Sequence, residues 1–256
     1  MASLLSSLTV LSLEQATTLP FLTQRLARES ARVIRVEPPG RGDPNRFVGA
    51  DVLGEPDMRS YFLTNNCGKQ AITLNLRDPE GRAILHELIS NLPVDIFCTN
   101  NRPSSYVKLG IDYETIQTIR PNIIWLGTTG FGPDSDEAAY DPVIQAQVGW
   151  MELTGEPDGS PVIFGLPMVD LGAAEHAYGA VMKALYRRAI TGAGSRVDIS
   201  MFHSALAWMA NPLMLTALGD HVTRRGNTHQ FFAPASVFPT ADGYVYIAVG
   251  NDRQWE

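Results

Sequence analysis

Cysteine is scarce in this chain, with only Cys67 and Cys98 in 256 residues. Two thiols cannot build the disulfide framework of a small secreted domain. Neither sits in a CxxC pair or beside a histidine, so they read as small buried residues in a reducing compartment. The histidines (His86, His176, His203, His221, His229) are scattered, with no HExxH-type spacing, and no bound metal is expected. Basic residues are in deficit: 20 Lys and Arg against 27 Asp and Glu leave a net charge of −7. The longest basic runs are the pairs Arg187-Arg188 and Arg224-Arg225, which a solvated surface explains. A nucleic-acid partner demands a basic surplus or stripe, so none is expected. No apolar run reaches the length of a membrane span, and no membrane association is expected. The opening stretch MASLLSSLTVLSLEQA lacks the positive n-region of a secretory signal and runs straight into Glu14. These absences leave a soluble intracellular protein, cytoplasmic first, with a mitochondrial or peroxisomal address left open.

What is present is alternation. Leu8–Leu13 is an apolar strand pattern, residues 16–29 carry apolar groups at helical spacing, and Arg32–Glu37 is β-branched at alternate positions. This is a βαβ opening, whose connection is expected to be right-handed. Its first turn has no GxGxxG, so no nicotinamide cofactor is expected. Pro38 to about Tyr61 reads as a long loop; its Arg41-Gly42-Asp43 tripeptide reads as coincidence. Strands follow at Ala71–Leu76, Val94–Cys98 and Asn122–Leu126, with helices from Asp78-Pro79-Glu80 to about Asn91 and over Asp112–Ile119. Residues 127–165 read as loop-rich. A long helix is expected over Leu171–Ile190, a strand over Ser195–Ser200 and an apolar helix over 201–218. A hairpin-like unit is expected from Arg225–Asn227 and Asp242–Val249. Such alternation means a parallel sheet with helices on both faces. The chain stops at Trp255-Glu256, just after an apparent strand, and reads as cut short.

Several stretches, in order, resemble the class III (CaiB/BaiF) CoA-transferases. They are RVIRVEPPGRGDPNR (32–46), NNCGKQAITLNLRDPEGR (65–82), VDIFCTNNRPSSYVKLGIDYETI (94–116), TGFGPDSDEAAYDPVIQAQVGWMELTG (129–155), GLPMVDLGAAEHAYGAVMKALYRRAITGAGSRVDISM (165–201) and RRGNTHQFFAPASVFPTADGYVYIAVGNDRQW (224–255). There are departures: Ala71 and Asn75 stand where relatives carry Ser and Asp, and Leu19-Pro20 where a Gly-Pro pair is common. The resemblance implies an α/β fold with a Rossmann-like parallel sheet over 1–224 and the start of a smaller second domain at 225–256. It also implies homodimers or other self-association. The implied activity is transfer of CoA between an acyl-CoA and a carboxylic acid acceptor, with coenzyme A as substrate and no permanently bound cofactor. An acyl-CoA racemase of the same superfamily and a shortened member with CoA binding but little catalysis are the alternatives.

CoA transfer needs a carboxylate that becomes first an anhydride and then an enzyme-bound thioester. Asp170 stands just before a helix pattern, at a position that reads as its N-cap, where the dipole favours the anion. An ordinary cap looks the same; the resemblance assigns Asp170 as the catalytic residue. The N–H groups of Leu171, Gly172 or Ala173 are the expected oxyanion donors. The resemblance places Asp141 in the same cleft and gives Gln145 a substrate carboxylate to orient. In the racemase branch a histidine stands where this chain has Tyr140, and a phenol is a poor base at neutral pH. For CoA itself the resemblance implies Gln15, Ala16 and Thr17 at the first turn, then Leu74 and Arg77, then Asn100, Asn101 and Arg102, then Lys108 and Leu109. Arg77, Arg102 and Lys108 are the cations suited to its phosphates.

Overall fold

A computed structural model describes residues 4–256. In chain order the elements begin with β1 (Thr9–Leu13), α1 (Thr18–Arg28), β2 (Arg32–Glu37), α2 (Ser60–Asn66), β3 (Gln70–Thr73), α3 (Pro79–Asn91) and β4 (Val94–Thr99). Then come α4 (Tyr106–Leu109), α5 (Tyr113–Ile119), β5 (Ile124–Thr129), α6 (Asp141–Gln147), α7 (Trp150–Leu153), α8 (Met168–Thr191) and β6 (Ser195–Ser200). The last are α9 (Met201–Leu206), α10 (Ala210–Ala217), β7 (Ala235–Pro239), β8 (Tyr244–Ala248) and α11 (Asp252–Trp255). The chain packs as two compact units: Met1–Tyr140 with Met168–Ala205, and Asp141–Pro167 with Leu206–Glu256.

The first unit is built on a six-stranded sheet in the order β3-β2-β1-β4-β5-β6, parallel throughout. This is the expected Rossmann-like fold. Successive side chains leave a strand on opposite faces, and both faces here are apolar. Val10, Val33, Ile96, Ile124 and Leu126 face one way, under Leu19, Leu22 and Leu26 of α1 and Ala174, Ala177 and Val181 of α8. Leu11, Ile34, Phe97 and Trp125 face the other, under Leu85 and Ile89 of α3 and Ile116 of α5. The small residues of α8 let it lie close to α1, and Arg25 of α1 is bonded to Glu175 across that seam. The indole N–H of Trp125 is satisfied by the Ile111 carbonyl at 2.8 Å, which makes its full burial tolerable.

The sheet reverses its winding between β1 and β4. Ligands of open α/β sheets bind where the carboxyl ends of the strands diverge at this switch point.

The second unit contains α6, α7, α10, α11 and an antiparallel hairpin of β7 with β8. Trp150 and Trp208 stack there at 5.7 Å.

Some boundaries differ from the sequence reading. The hairpin's first strand is Ala235–Pro239 rather than the Arg225–Asn227 region; its alternation is short, preceded by Pro234 and ended by Pro239, which masks it in the sequence. The apolar run 201–218 breaks into α9, a 3-10 turn at Ala207–Met209 and α10. Pro212, early in α10, has no N–H for a helix continuing from upstream. Within the loop-rich stretch 127–165, α6 and α7 form single short helices, and α2 forms between the long loop and β3, where no element was expected.

Candidate active site

At the switch point the ends of β1, β2 and β4 and the segment after β3 enclose a crevice of about 700 Å³. Of the residues expected to meet CoA, Gln15, Leu74, Arg77, Asn100, Asn101, Lys108 and Leu109 line it. Ala16, Thr17 and Arg102 are not among its lining residues. Thr17 is the N-cap of α1, without a side-chain cap bond, and exposed Arg102 precedes the 3-10 turn Pro103–Ser105.

Three carboxylates stand at the crevice wall, Glu14, Glu37 and Asp43; sequence reasoning missed Glu14 and Asp43 and gave Glu37, at its strand end beside the turn, no role. Each is neutralised. Lys69 lies 2.7 Å from Glu14, Arg35 2.8 Å from Asp43, and Arg46 2.6 Å from Glu37. Burial opposes ionisation of Glu37. The Arg46 hydrogen bonds, the Arg35 charge and the Asp43 N–H together outweigh that and hold its carboxyl below the usual range. A strand-end acid is a ribose contact in dinucleotide enzymes, but here Arg46 takes both oxygens of Glu37. Arg77 and Lys108 line the crevice and pair with no carboxylate among the described residues. The crevice therefore offers an anion uncompensated cations despite the chain's negative charge.

Asp43 also settles the Arg-Gly-Asp tripeptide: its side chain is buried against Arg35 and cannot serve as an exposed adhesion motif. Gly42 before it has φ +68°, and a Cβ there would lie 2.5 Å from Glu37 Oε2. The position requires glycine on both counts.

Asp170 lies at the same carboxyl edge of the sheet. Helix α8 opens at Met168, so Asp170 is in its first turn rather than at its cap. Pro167, directly upstream, is the start signal that the aspartate pattern outweighs. Leu171, Gly172 and Ala173 consequently lie past the first helical residues. Their N–H groups belong to the i→i−4 ladder and are not available as oxyanion donors. The helix dipole still favours an anion at this depth. Thr18, the first residue of α1, donates its hydroxyl to the Asp170 carboxylate. Thr18 was not among the expected residues; the only available signal was its place after the first βα turn.

Asp141 and Gln145 belong to the second unit and are bonded to each other. Gln145 Nε2 donates to Asp141 Oδ1 at 2.5 Å, and its Oε1 accepts the Phe164 N–H at 2.9 Å. Both side chains are buried.

Elsewhere in the first unit, the loop after β5 and the start of α9 enclose a cavity of about 450 Å³ that includes His176, Asp198 and His203. Among the described residues no group of His, Cys, Asp or Glu is arranged to hold a metal ion, and no helix is long and apolar enough to cross a membrane.

Comparison with known proteins gives a consistent picture. The succinate–glutarate CoA-transferase of Agrobacterium fabrum is 34% identical over 98% of this chain and 64% of its own length. The acetyl-CoA:oxalate CoA-transferase of Acetobacter aceti is 38% identical over 91% and 60%. The human succinyl-CoA:glutarate CoA-transferase is 35% identical over 98% and 57%. The chain thus spans less than two thirds of the length of these relatives. The crystal structure of a CaiB/BaiF family protein from Brucella suis superposes with a TM-score of 0.89 at 35% identity, covering 100% of this chain and 68% of that one. The sequence model of CoA-transferase family III matches residues 5–256, and the chain belongs to that family.

Proposed function

We propose that this chain takes part in CoA transfer between carboxylic acids, with Asp170 as nucleophile. Its carboxylate attacks the thioester carbonyl of an acyl-CoA, expelling the CoA thiolate and leaving a mixed anhydride. The thiolate attacks the aspartyl carbonyl, releasing the first acid and leaving an aspartyl-CoA thioester. The acceptor carboxylate attacks that thioester and again frees the thiolate. The thiolate takes the new acyl group and restores Asp170. No water is consumed and the thioester is conserved.

The observation that carries this reading is the Thr18–Asp170 hydrogen bond. It ties the carboxylate to the turn whose Gln15 lines the switch-point crevice. In this reading Arg77 and Lys108 hold CoA phosphates as charge-assisted partners. Asp141 is the second carboxyl of the reaction, kept in orientation by Gln145. Relatives named for succinate, glutarate and oxalate point to short dicarboxylates as the acids. Residues 225–256 open the smaller domain, and the active form is a homodimer.

The test is mass spectrometry of the protein with succinyl-CoA, acetyl-CoA or formyl-CoA, followed by glutarate or oxalate. A CoA adduct on Asp170 that the second acid discharges is the expected result. Rapid α-deuterium exchange in deuterium oxide without any acceptor would instead identify a racemase and sink the transfer reading.

A further inference from the structure

Beneath the first βα turn lies a buried network of opposite charges that the proposed chemistry does not itself consume. Glu14 follows β1 with its carboxylate out of solvent. One oxygen accepts from Lys69 Nζ at 2.7 Å and the other from Thr23 Oγ1 at 2.5 Å. Lys69 directs further donors at the Pro20 carbonyl, 2.8 Å, and Asn66 Oδ1, 2.9 Å. Arg35 donates to Asn66, to the Glu14 carbonyl at 3.3 Å and to Asp43 at 2.8 Å.

The far side of this network grips the turn itself. Asp43 Oδ1 accepts the Ala16 N–H at 3.2 Å, and Asn45 donates to the Ala16 carbonyl at 2.8 Å. Asn100 brackets Gln15, accepting its N–H at 3.1 Å and donating to its carbonyl at 2.8 Å. Ala16 sits at φ +63°, a left-handed conformation that a non-glycine residue keeps only where its surroundings over-determine it. Just beyond the turn stands Thr18, bonded to Asp170.

A buried ion pair is weak grounds for a stabilising role, since its desolvation offsets much of its attraction. Burial pushes the Lys69 ammonium down from its ordinary range, against the pull of Glu14. What the arrangement does produce is one defined path for residues 14–18. We infer that Lys69 is a positioning residue for transfer at Asp170: by fixing Glu14 it sets the turn that delivers the Thr18 hydroxyl to the carboxylate. This rests on the reading of Asp170 as nucleophile.

The experiment uses Lys69→Met in the full chain and follows single-turnover formation of the covalent adduct from an acyl-CoA that the wild type accepts. The rate constant is expected to fall by about tenfold or more, because a small displacement of a reacting group costs that much. The Kd for CoA should rise by a smaller factor than the rate constant falls, because of the crevice lining only Glu14 and Gln15 belong to this turn, while Arg77 and Lys108 lie on other loops. A merely structural role would lower the amplitude, the fraction of chains that react, and leave the rate constant alone. Lys69→Met leaves Glu14 buried with its charge exposed to no partner cation, so Thr23→Val, which removes only a hydroxyl from Glu14, is the second variant. It should slow the reaction about threefold in the same direction. Wild-type rate constants in the folded variants overturn the proposal whatever their amplitudes. If the wild type binds CoA yet forms no adduct, the Asp170 reading fails instead. Amide exchange at Gln15 and Ala16 then tests separately whether Lys69 sets the turn: faster exchange in the variants supports that, and unchanged exchange overturns it.

Discussion

A carboxylate in water is a poor nucleophile toward a thioester, because hydration stabilises its charge and nothing holds it in line. Asp170 is half-buried in the first turn of a 24-residue helix, with the Thr18 hydroxyl on one oxygen. Asp170→Asn keeps the shape and removes the proposed nucleophile. Adduct formation should vanish and transfer should drop at least about 100-fold, with an unchanged circular-dichroism spectrum; an adduct that persists moves the chemistry to another residue. Arg77→Ala and Lys108→Ala test the proposed phosphate contacts. Each should raise KM for the CoA substrate by about tenfold, the worth of one charge-assisted contact, with kcat little changed. Glu37 contributes to acid stability. Its carboxyl titrates lower in the fold than in the unfolded chain, so the unfolded chain binds more protons below about pH 4.3. The contribution of Glu37 is therefore complete above that pH and is lost as acid carries the fold through its own lowered value. Urea midpoints measured from pH 5 downward should fall less steeply for Glu37→Gln than for the wild type.

At the scale of elements, the seam between α1 and α8 holds the acid where the turn can reach it. Leu19, Leu22 and Leu26 recur on one face of α1 and meet the alanines of α8. Leu22→Ala should cost about 2–5 kcal/mol in denaturant melts, since the stiff sheet below cannot close the cavity. This seam was legible in the sequence because apolar spacing alone specifies it, and β2, α3 and β6 were legible to the residue for the same reason. The site was legible only in part. Crevice residues such as Asn100 and Lys108 follow strand ends or lie in motifs that the family resemblance supplied. The Glu14, Lys69, Arg35 and Asp43 network was not legible, because its members are distant in sequence and each alone looks like a surface charge. The start of α8 was misread because an aspartate before an apolar helix imitates a cap, whereas the helix begins three residues earlier than expected. Helix α2 escaped notice because it is short, polar and uncapped by any side chain at Arg59.

At the scale of the whole molecule, the division into two units lets the proposed CoA binding be tested as a thermodynamic probe of one of them. Every residue lining the switch-point crevice belongs to the sheet unit. A ligand that binds only the folded form at about 100 times its Kd stabilises that form by about 2.7 kcal/mol. For a body of this size that is a rise of about 5–10 °C in Tm. The tryptophans separate the units: Trp125 lies in the sheet unit, and Trp150, Trp208 and Trp255 lie in the other. With Trp150, Trp208 and Trp255 changed to Phe, fluorescence reports only on Trp125, packed at the edge of Tyr106 and Tyr113 inside the sheet's core. Saturating CoA should raise the Trp125 transition by the full amount. In the complementary Trp125→Phe protein, the transition should follow the same shift if the two units unfold together and stay in place if they unfold separately. A Trp125 transition indifferent to CoA would remove the switch-point crevice as the binding site, whichever way the second unit behaves.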